Sequence, residues 1–209
     1  MDVILKNNKK IRFFNSSSCE IFKESKNYIN EESKKEPKNI YGLSKLISFE
    51  MVKFFREKYK LKICTGIMFH HESMLRSKDF VLRKVVNSAE QIKLNKQKQI
   101  KLGNINISRD WGWAPEYVKL IHKMISQTKM EDLIIATGVT VKLRFLIKKI
   151  FKYYNLNWIK HIKIENTLLR KFDAAIIKAD NKKIKKKFKW TPINTGENII
   201  YNLLKNRLD

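Results

Sequence analysis

Apolar and polar positions change period along this chain in short blocks, and each period predicts an element. Ile11 to Asn15 is a brief apolar run that leads into a serine cluster, the pattern of a short buried strand with a polar end. Lys23 to Asn39 is rich in Lys, Glu, Ser and Asn with one Pro, and predicts a loop. From Ile40 to about Tyr59 the apolar residues Leu43, Ile47, Met51, Phe54 and Phe55 recur at three and four, the period of a helix. Lys62 to Phe69 predicts a strand, Phe80 to Lys93 a helix, and "QIKLGNINIS" a small hairpin around Gly103 and Asn104. Pro115 suits the first turn of a helix running to about Gln127. "DLIIATG" predicts another strand, Thr140 to Tyr154 another helix, and "WIKHIKI" and "AAIIKA" short extended pieces before basic helices end the chain. Helices and strands alternate throughout, which predicts an α/β fold.

Composition narrows the picture. A chain of 209 residues, 43% hydrophobic and 11% aromatic, buries a core and is not a disordered tail. No apolar run approaches the roughly 18 residues of a membrane span, and the N-terminal apolar residues do not form a signal peptide, so the expected location is cytoplasmic, with no membrane partner. Cys19 and Cys64 offer neither a disulfide framework nor a metal pair and are expected to be free thiols. The net charge of +25 would ordinarily place nucleic acid first among partners. The excess is mostly Lys scattered among many Asn and Ile, with Arg scarce, so no specific nucleic acid is expected. The run from Lys182 to Trp190 fits the solvated face of a terminal helix.

Candidate chemistry begins at the helix from Ile40. Tyr41 and Lys45 are four apart and share a face, roughly opposite the stripe of Leu43, Ile47 and Phe54. An ammonium near a phenol favours the phenolate, lowering a pKa of about 10 and making the tyrosine a usable base near neutrality. A strand ending in Ser17, Ser18 and Glu20 just upstream is the arrangement in which a hydroxyl can hydrogen-bond the substrate oxygen that the tyrosine deprotonates. His70, His71 and Glu72 lack metal-ligand spacing, and adjacent histidines on an extended segment point to opposite sides, so no metal is expected. Arg109 and Arg170 offer guanidinium forks that match phosphate oxygens, or are surface or packing arginines; Trp111 and Trp113 suit core or base stacking equally.

With these residues in view the sequence resembles the extended short-chain dehydrogenases/reductases, and among them the GDP-mannose 4,6-dehydratases. "FFNSSSCEIF" is similar to the family's aromatic, Gln-Ala-Ser-(Ser/Thr)-Ser-Glu segment, and "YGLSK" to its Tyr-x-x-x-Lys. "GIMFHHES" followed by "FVLRKV", and "LGNINISRDWGWAPEYV", resemble the two motifs that single out the dehydratases. Order and spacing hold to "DLIIATG" and the terminal "KKKFKWTP".

The resemblance implies a partial Rossmann-type sheet with a C-terminal substrate-binding α/β subdomain, residues 1–70 carrying the catalytic groups and residues 71–209 mainly binding the sugar nucleotide. It implies Ser18, Glu20, Tyr41 and Lys45 as catalytic residues, and Tyr41, Lys45, His71 and Arg76 as NADP contacts. His70, Val81, Lys84, Arg109, Arg170 and Asp173 fall at substrate positions. The implied reaction converts GDP-mannose to its 4-keto-6-deoxy form. Tyr41 takes the hydroxyl proton at sugar carbon 4 as hydride passes to NADP, Glu20 takes the proton from carbon 5, water leaves carbon 6, and the hydride returns there.

Departures are local: His70 stands for the family's Asn, "MLRS" for Pro-Arg-Arg-Gly, Pro115 and Glu116 for Arg-Asp, and Lys171 and Asp173 for Pro and Glu. Only six glycines occur and none forms a glycine-rich phosphate turn, so the expectation is a fragment or split form lacking the dinucleotide-binding half, with a separate N-terminal Rossmann chain as partner and a homo-oligomer as the intact family assembly. The alternatives are another sugar-nucleotide epimerase, dehydratase or reductase, an inactive relative, and, more remotely, a basic nucleic-acid-binding module.

Overall fold

In the computed structural model, which describes residues 1–171 and 173–205, the chain opens with a short helix α1 (Asp2–Asn7) and strand β1 (Phe13–Ser18). A two-residue strand β2 (Tyr28–Ile29) interrupts the polar segment before the long helix α2 (Ile40–Tyr59). Then follow β3 (Ile63–Met68), β4 (His70–Glu72), α3 (Val81–Lys93), β5 (Ile100–Leu102), β6 (Ser108–Trp113) and α4 (Ala114–Ile125). The remainder is β7 (Leu133–Ile135), β8 (Thr140–Lys142), α5 (Leu143–Tyr153), α6 (Trp158–His161), β9 (Ile162–Ile164), β10 (Lys178–Ala179), α7 (Lys182–Phe188) and α8 (Asn198–Lys205).

The principal sheet is parallel, in the order β1, β3, β7, with Phe13 opposite Ile63 and Gly66 opposite Leu133. Every residue of β3 is buried, as a parallel strand covered on both faces must be. Its period of two sends Ile67 into a cluster with Ile21, Phe49 and Ile134, and Cys64 and Met68 into another with Tyr117, Leu120 and Leu133. A bidentate ion pair from Arg56 of α2 to Asp132, at 2.6 and 2.5 Å, ties helix to sheet, and the same carboxylate accepts the Thr65 amide at 2.7 Å. A second core gathers Leu82, Val85 and Val86 of α3, Leu146, Ile147 and Ile150 of α5 and Leu203 of α8 around Trp111 and Trp113. Both tryptophans are therefore core residues, and both cysteines are buried free thiols.

Several expectations are corrected. The residues around Gly103 and Asn104 do not turn a hairpin: β5 pairs in parallel with β9, and β6 lies between β4 and β8. Alternation marks a half-buried strand without naming its neighbour. Thr140 to Lys142 is strand, paired antiparallel to β6, and the helix starts only at Leu143. In "WIKHIKI" the Asn157 side chain accepts the Ile159 amide and caps one turn of helix, leaving Ile162–Ile164 as the extended part. The loop before α2 carries β2, which pairs with β10.

The apolar stripe of α2 faces outward, with Leu43, Ile47, Met51 and Phe54 each about half exposed, whereas Gly42, Phe49 and Val52 make the buried face. In α7, Ile184 is buried while Lys183 and Lys187 pair with Glu131, so part of the basic run anchors that helix to the body. Among the described residues no helix is long and apolar enough to cross a membrane, and no group of three or more His, Cys, Asp or Glu is placed to hold a metal.

Candidate active site

A cleft of about 1240 Å³ opens where β1 and β3 end, the edge at which parallel α/β sheets hold their ligands. One wall is the turn after β1. Ser18 is buried at the strand end, and its hydroxyl oxygen accepts the Glu20 amide at 3.2 Å, capping the single 3₁₀ turn Cys19–Ile21. The Glu20 side chain is half-buried, and its carboxylate accepts a hydrogen bond of 2.7 Å from the Asn39 amide group.

The facing wall is the first turn of α2. Its N-terminus approaches the Glu20 backbone so closely that a Cβ on Gly42 would overlap the Glu20 carbonyl oxygen, which explains a glycine straight after the tyrosine. Tyr41 is 53% exposed and lines the cleft. The Lys45 ammonium lies 5.7 Å from the Tyr41 ring centroid and donates to the Ser16 carbonyl at 2.9 Å, and the Ser17 hydroxyl donates to the Lys45 carbonyl at 3.3 Å. Lys45 therefore stands behind the tyrosine, fixed by the backbone of β1.

β4 forms the floor, and its two histidines diverge as an extended segment requires. His70 lies 5.5 Å from Trp111 between ring centroids, with its Nδ1 4.0 Å from the Cys19 sulfur. Burial, then the positive charges of Arg109 and Arg76, push the His70 pKa down to about 3, and burial pushes the Cys19 thiol up to about 12. This is a neutral thiol beside a neutral imidazole, not a thiolate nucleophile with an imidazolium. His71 lies against Tyr117, and its Nδ1 is 2.8 Å from the Phe69 carbonyl. That contact requires Nδ1 to carry the proton, and burial holds the ring's pKa below the usual histidine range. The second ring nitrogen remains an acceptor.

Arg76 donates to the His71 carbonyl and places its guanidinium 3.8 Å from the Phe80 ring centroid. Glu72, 1% exposed and 3.7 Å from Arg76, is pushed up to about 7 by burial, against the pull of Arg76 and Arg83. Val81 and Lys84 line the cleft from α3, and Lys84 donates to the Lys101 carbonyl at 3.0 Å.

Two of the predicted substrate contacts, Arg109 and Asp173, are engaged with each other. Arg109 is 3% exposed, and its guanidinium pairs with Asp173 at 2.5 Å and donates to its neighbour's carbonyl, Ser108, at 2.9 Å. Arg170, exposed, lines the cleft on the same side.

Eleven of the twelve site residues expected from sequence thus line one cleft, and Lys45 sits directly behind it. Asn39 was missed, although an asparagine just before a periodic apolar run is an N-cap signal. The burial of Glu72 and Cys19 beside the cleft was not foreseen either, because nothing local in sequence announces which charged or polar group a fold buries.

The parallel sheet, the Tyr41–Lys45 helix and the cleft at the strand ends define a Rossmann-type fold of the short-chain dehydrogenase/reductase class. The same fold is seen in RMD of Pseudomonas aeruginosa, solved with NADPH (TM-score 0.87, 17% identity, 98% of this chain and 69% of that one). It recurs in a dTDP-glucose 4,6-dehydratase of Bacillus anthracis solved with NAD (TM-score 0.85, 16% identity, 98% and 62%). The chain belongs to the GDP-mannose 4,6-dehydratase family, whose model matches residues 1–203. It is 33% identical over 186 residues to GDP-mannose 4,6 dehydratase 1 of Arabidopsis thaliana, covering 89% of this chain and 52% of that protein. The chain spans about half the length of the curated relatives it matches.

Proposed function

We propose that this chain is the catalytic part of an NADP-dependent GDP-mannose 4,6-dehydratase, acting together with a glycine-rich dinucleotide-binding unit, on the same or a separate polypeptide. The observation that carries the reading is the single cleft in which Ser18, Glu20 and Tyr41 stand together, with the Lys45 ammonium close to the phenol.

The residues present fit one half of a dinucleotide. The exposed Tyr41 phenol, the acceptor nitrogen of His71 and the Arg76 guanidinium line one cleft and suit the nicotinamide-ribose edge and an anionic group. No turn of backbone amides of the glycine-rich kind occurs in the sequence to surround a pyrophosphate. The bound nicotinamide would supply reversible hydride storage.

The chain's own groups then divide the proton work. Ser18 hydrogen-bonds the oxygen on sugar carbon 4, and Tyr41, with the Lys45 ammonium beside its ring, takes its proton. The ketone so formed acidifies carbon 5, and Glu20 removes that proton as water leaves carbon 6. A simple dehydrogenase has no use for this extra carboxylate. Residues 1–70 supply these groups, and residues 71–209 hold the sugar nucleotide, with Arg170 offered to the diphosphate and Arg109 available once Asp173 yields it.

The family relatives' names speak for a GDP-sugar; the dTDP-sugar enzyme shares only the fold. The test is cofactor affinity and product formation, measured for the lone chain and for the chain co-expressed with the N-terminal half of a related dehydratase. The lone chain should bind NADP weakly, and the pair should bind it and convert GDP-mannose. Tight binding by the lone chain, or a pair that binds both ligands without making product, would contradict the reading.

The outward stripe of α2, four half-exposed apolar side chains on one helix face, supports a homo-oligomer built on that face. Ile47→Glu should shift the sedimentation mass of the assembled protein to the monomer or the next smaller assembly, leaving the fold intact. An unchanged mass would place the oligomer contact elsewhere.

A further inference from the structure

The Asn39 side chain joins two things that the proposed chemistry needs held together. Its oxygen accepts the Gly42 amide at 2.7 Å, which caps α2, and its nitrogen donates to Glu20 Oε2 at 2.7 Å. The orientation of this amide is settled by chemistry, because a backbone N–H can only donate and a carboxylate can only accept. The cap therefore forces the NH₂ group toward Glu20.

From this geometry we infer that Asn39 is a positioning residue, using the helix cap to aim the Glu20 carboxylate at the sugar. The inference rests on the reading of Glu20 as the base at carbon 5. Gly42 strengthens the linkage, since it lets the capped turn sit directly against the Glu20 backbone. The helix that carries Tyr41 and the turn that carries Glu20 are thus locked together by one side chain. The two bases keep a fixed separation, and one oxygen of the carboxylate is occupied while the other remains for the proton. A neutral amide does this without adding a charge that would compete for the substrate. The other charged or titratable groups lining this cleft near Glu20 include Cys19 on its own turn, Lys23 just after it, Tyr41 of α2, the Lys38–Glu24 pair at 2.6 Å, His70 of β4, and Arg109 of β6 with its partner Asp173.

Two substitutions separate capping from aiming. Ser and Asp both cap helices about as well as Asn. Asn39→Ser keeps an oxygen for Gly42 but has no donor nitrogen to reach Glu20. Asn39→Asp keeps the cap and turns a second carboxylate against the first, where like charges disfavour ionisation.

In the assembled protein with NADP and GDP-mannose, both variants should unfold at a denaturant midpoint close to wild type. Asn39→Ser should slow the step after oxidation roughly ten- to a hundredfold, and reduced nicotinamide should accumulate, as is expected for Glu20→Gln. Asn39→Asp should move the acidic limb of the pH–rate profile upward by about a unit or more. A mere cap would produce neither signature. If both variants match wild type in rate, accumulation and pH profile while Glu20→Gln stalls, Asn39 is only a cap and the inference is overturned. If Glu20→Gln itself turns over normally, the role given to Glu20 fails first, and the aiming role falls with it.

Discussion

Tyr41→Phe should lower turnover of the assembled protein by roughly a hundred- to ten-thousand-fold, the range expected when a positioned proton acceptor is lost. Binding of the GDP-sugar should be nearly unchanged. The phenylalanine ring fills the same half-exposed place on α2, so the wall of the cleft is kept and only the phenol goes. Lys45 stays anchored on the Ser16 carbonyl and cannot substitute, since its ammonium carries no lone pair for the proton. Measuring kcat beside GDP-mannose affinity separates these effects. A variant that loses binding and turnover in parallel would mean that Tyr41 holds substrate rather than performing chemistry.

Glu20→Gln should fail differently. In the proposed reaction the oxidation at carbon 4 depends on Tyr41, Lys45 and Ser18, which the substitution leaves in place, and glutamine still offers an oxygen to the Asn39 amide. Elimination should stop, because an amide does not accept the carbon 5 proton. The expected products of a single turnover are reduced nicotinamide and a 4-keto sugar that keeps its hydroxyl at carbon 6. Together the two variants divide the pathway at its midpoint, one blocked before oxidation and the other after it.

The sequence made α2 legible to its ends, since Ile40 to Tyr59 carries a helical period and is the observed helix. β1 and β3 were legible for the complementary reason: a short apolar run with polar punctuation has few alternatives. What the period did not disclose was direction. Leu43, Ile47 and Phe54 form a regular stripe, yet they face outward, because the glycine and phenylalanine on the opposite face fit more closely against β1 and the Glu20 turn. Partners distant in sequence were hidden too. β5 pairs with β9 some sixty residues on, and Arg109 meets Asp173 across a separation of 64 residues. A diphosphate clamp predicted from a lone arginine could not anticipate that internal carboxylate.

The residues that gather in the cleft were legible because their spacing is local: a serine two residues from a glutamate, a tyrosine four from a lysine. Its supports were not. Asn39 acts through a bond to a residue 19 positions earlier, and Glu72 acquires its raised pKa only from burial beside Arg76 and Arg83. Such groups look ordinary in sequence and become distinctive only once the fold removes water from them.

In the proposed reaction one cleft oxidises carbon 4, removes the carbon 5 proton and reduces carbon 6 of the same sugar. The direct measurement follows a label: GDP-mannose with deuterium at carbon 4 is incubated with the assembled protein and unlabelled NADP, and the product is read by mass spectrometry and NMR. The expected product is a 4-keto-6-deoxy sugar with the deuterium on carbon 6. Deuterium remaining in reduced NADP beside a ketone that retains its carbon 6 hydroxyl, or returning to carbon 4 of an epimer, would contradict it.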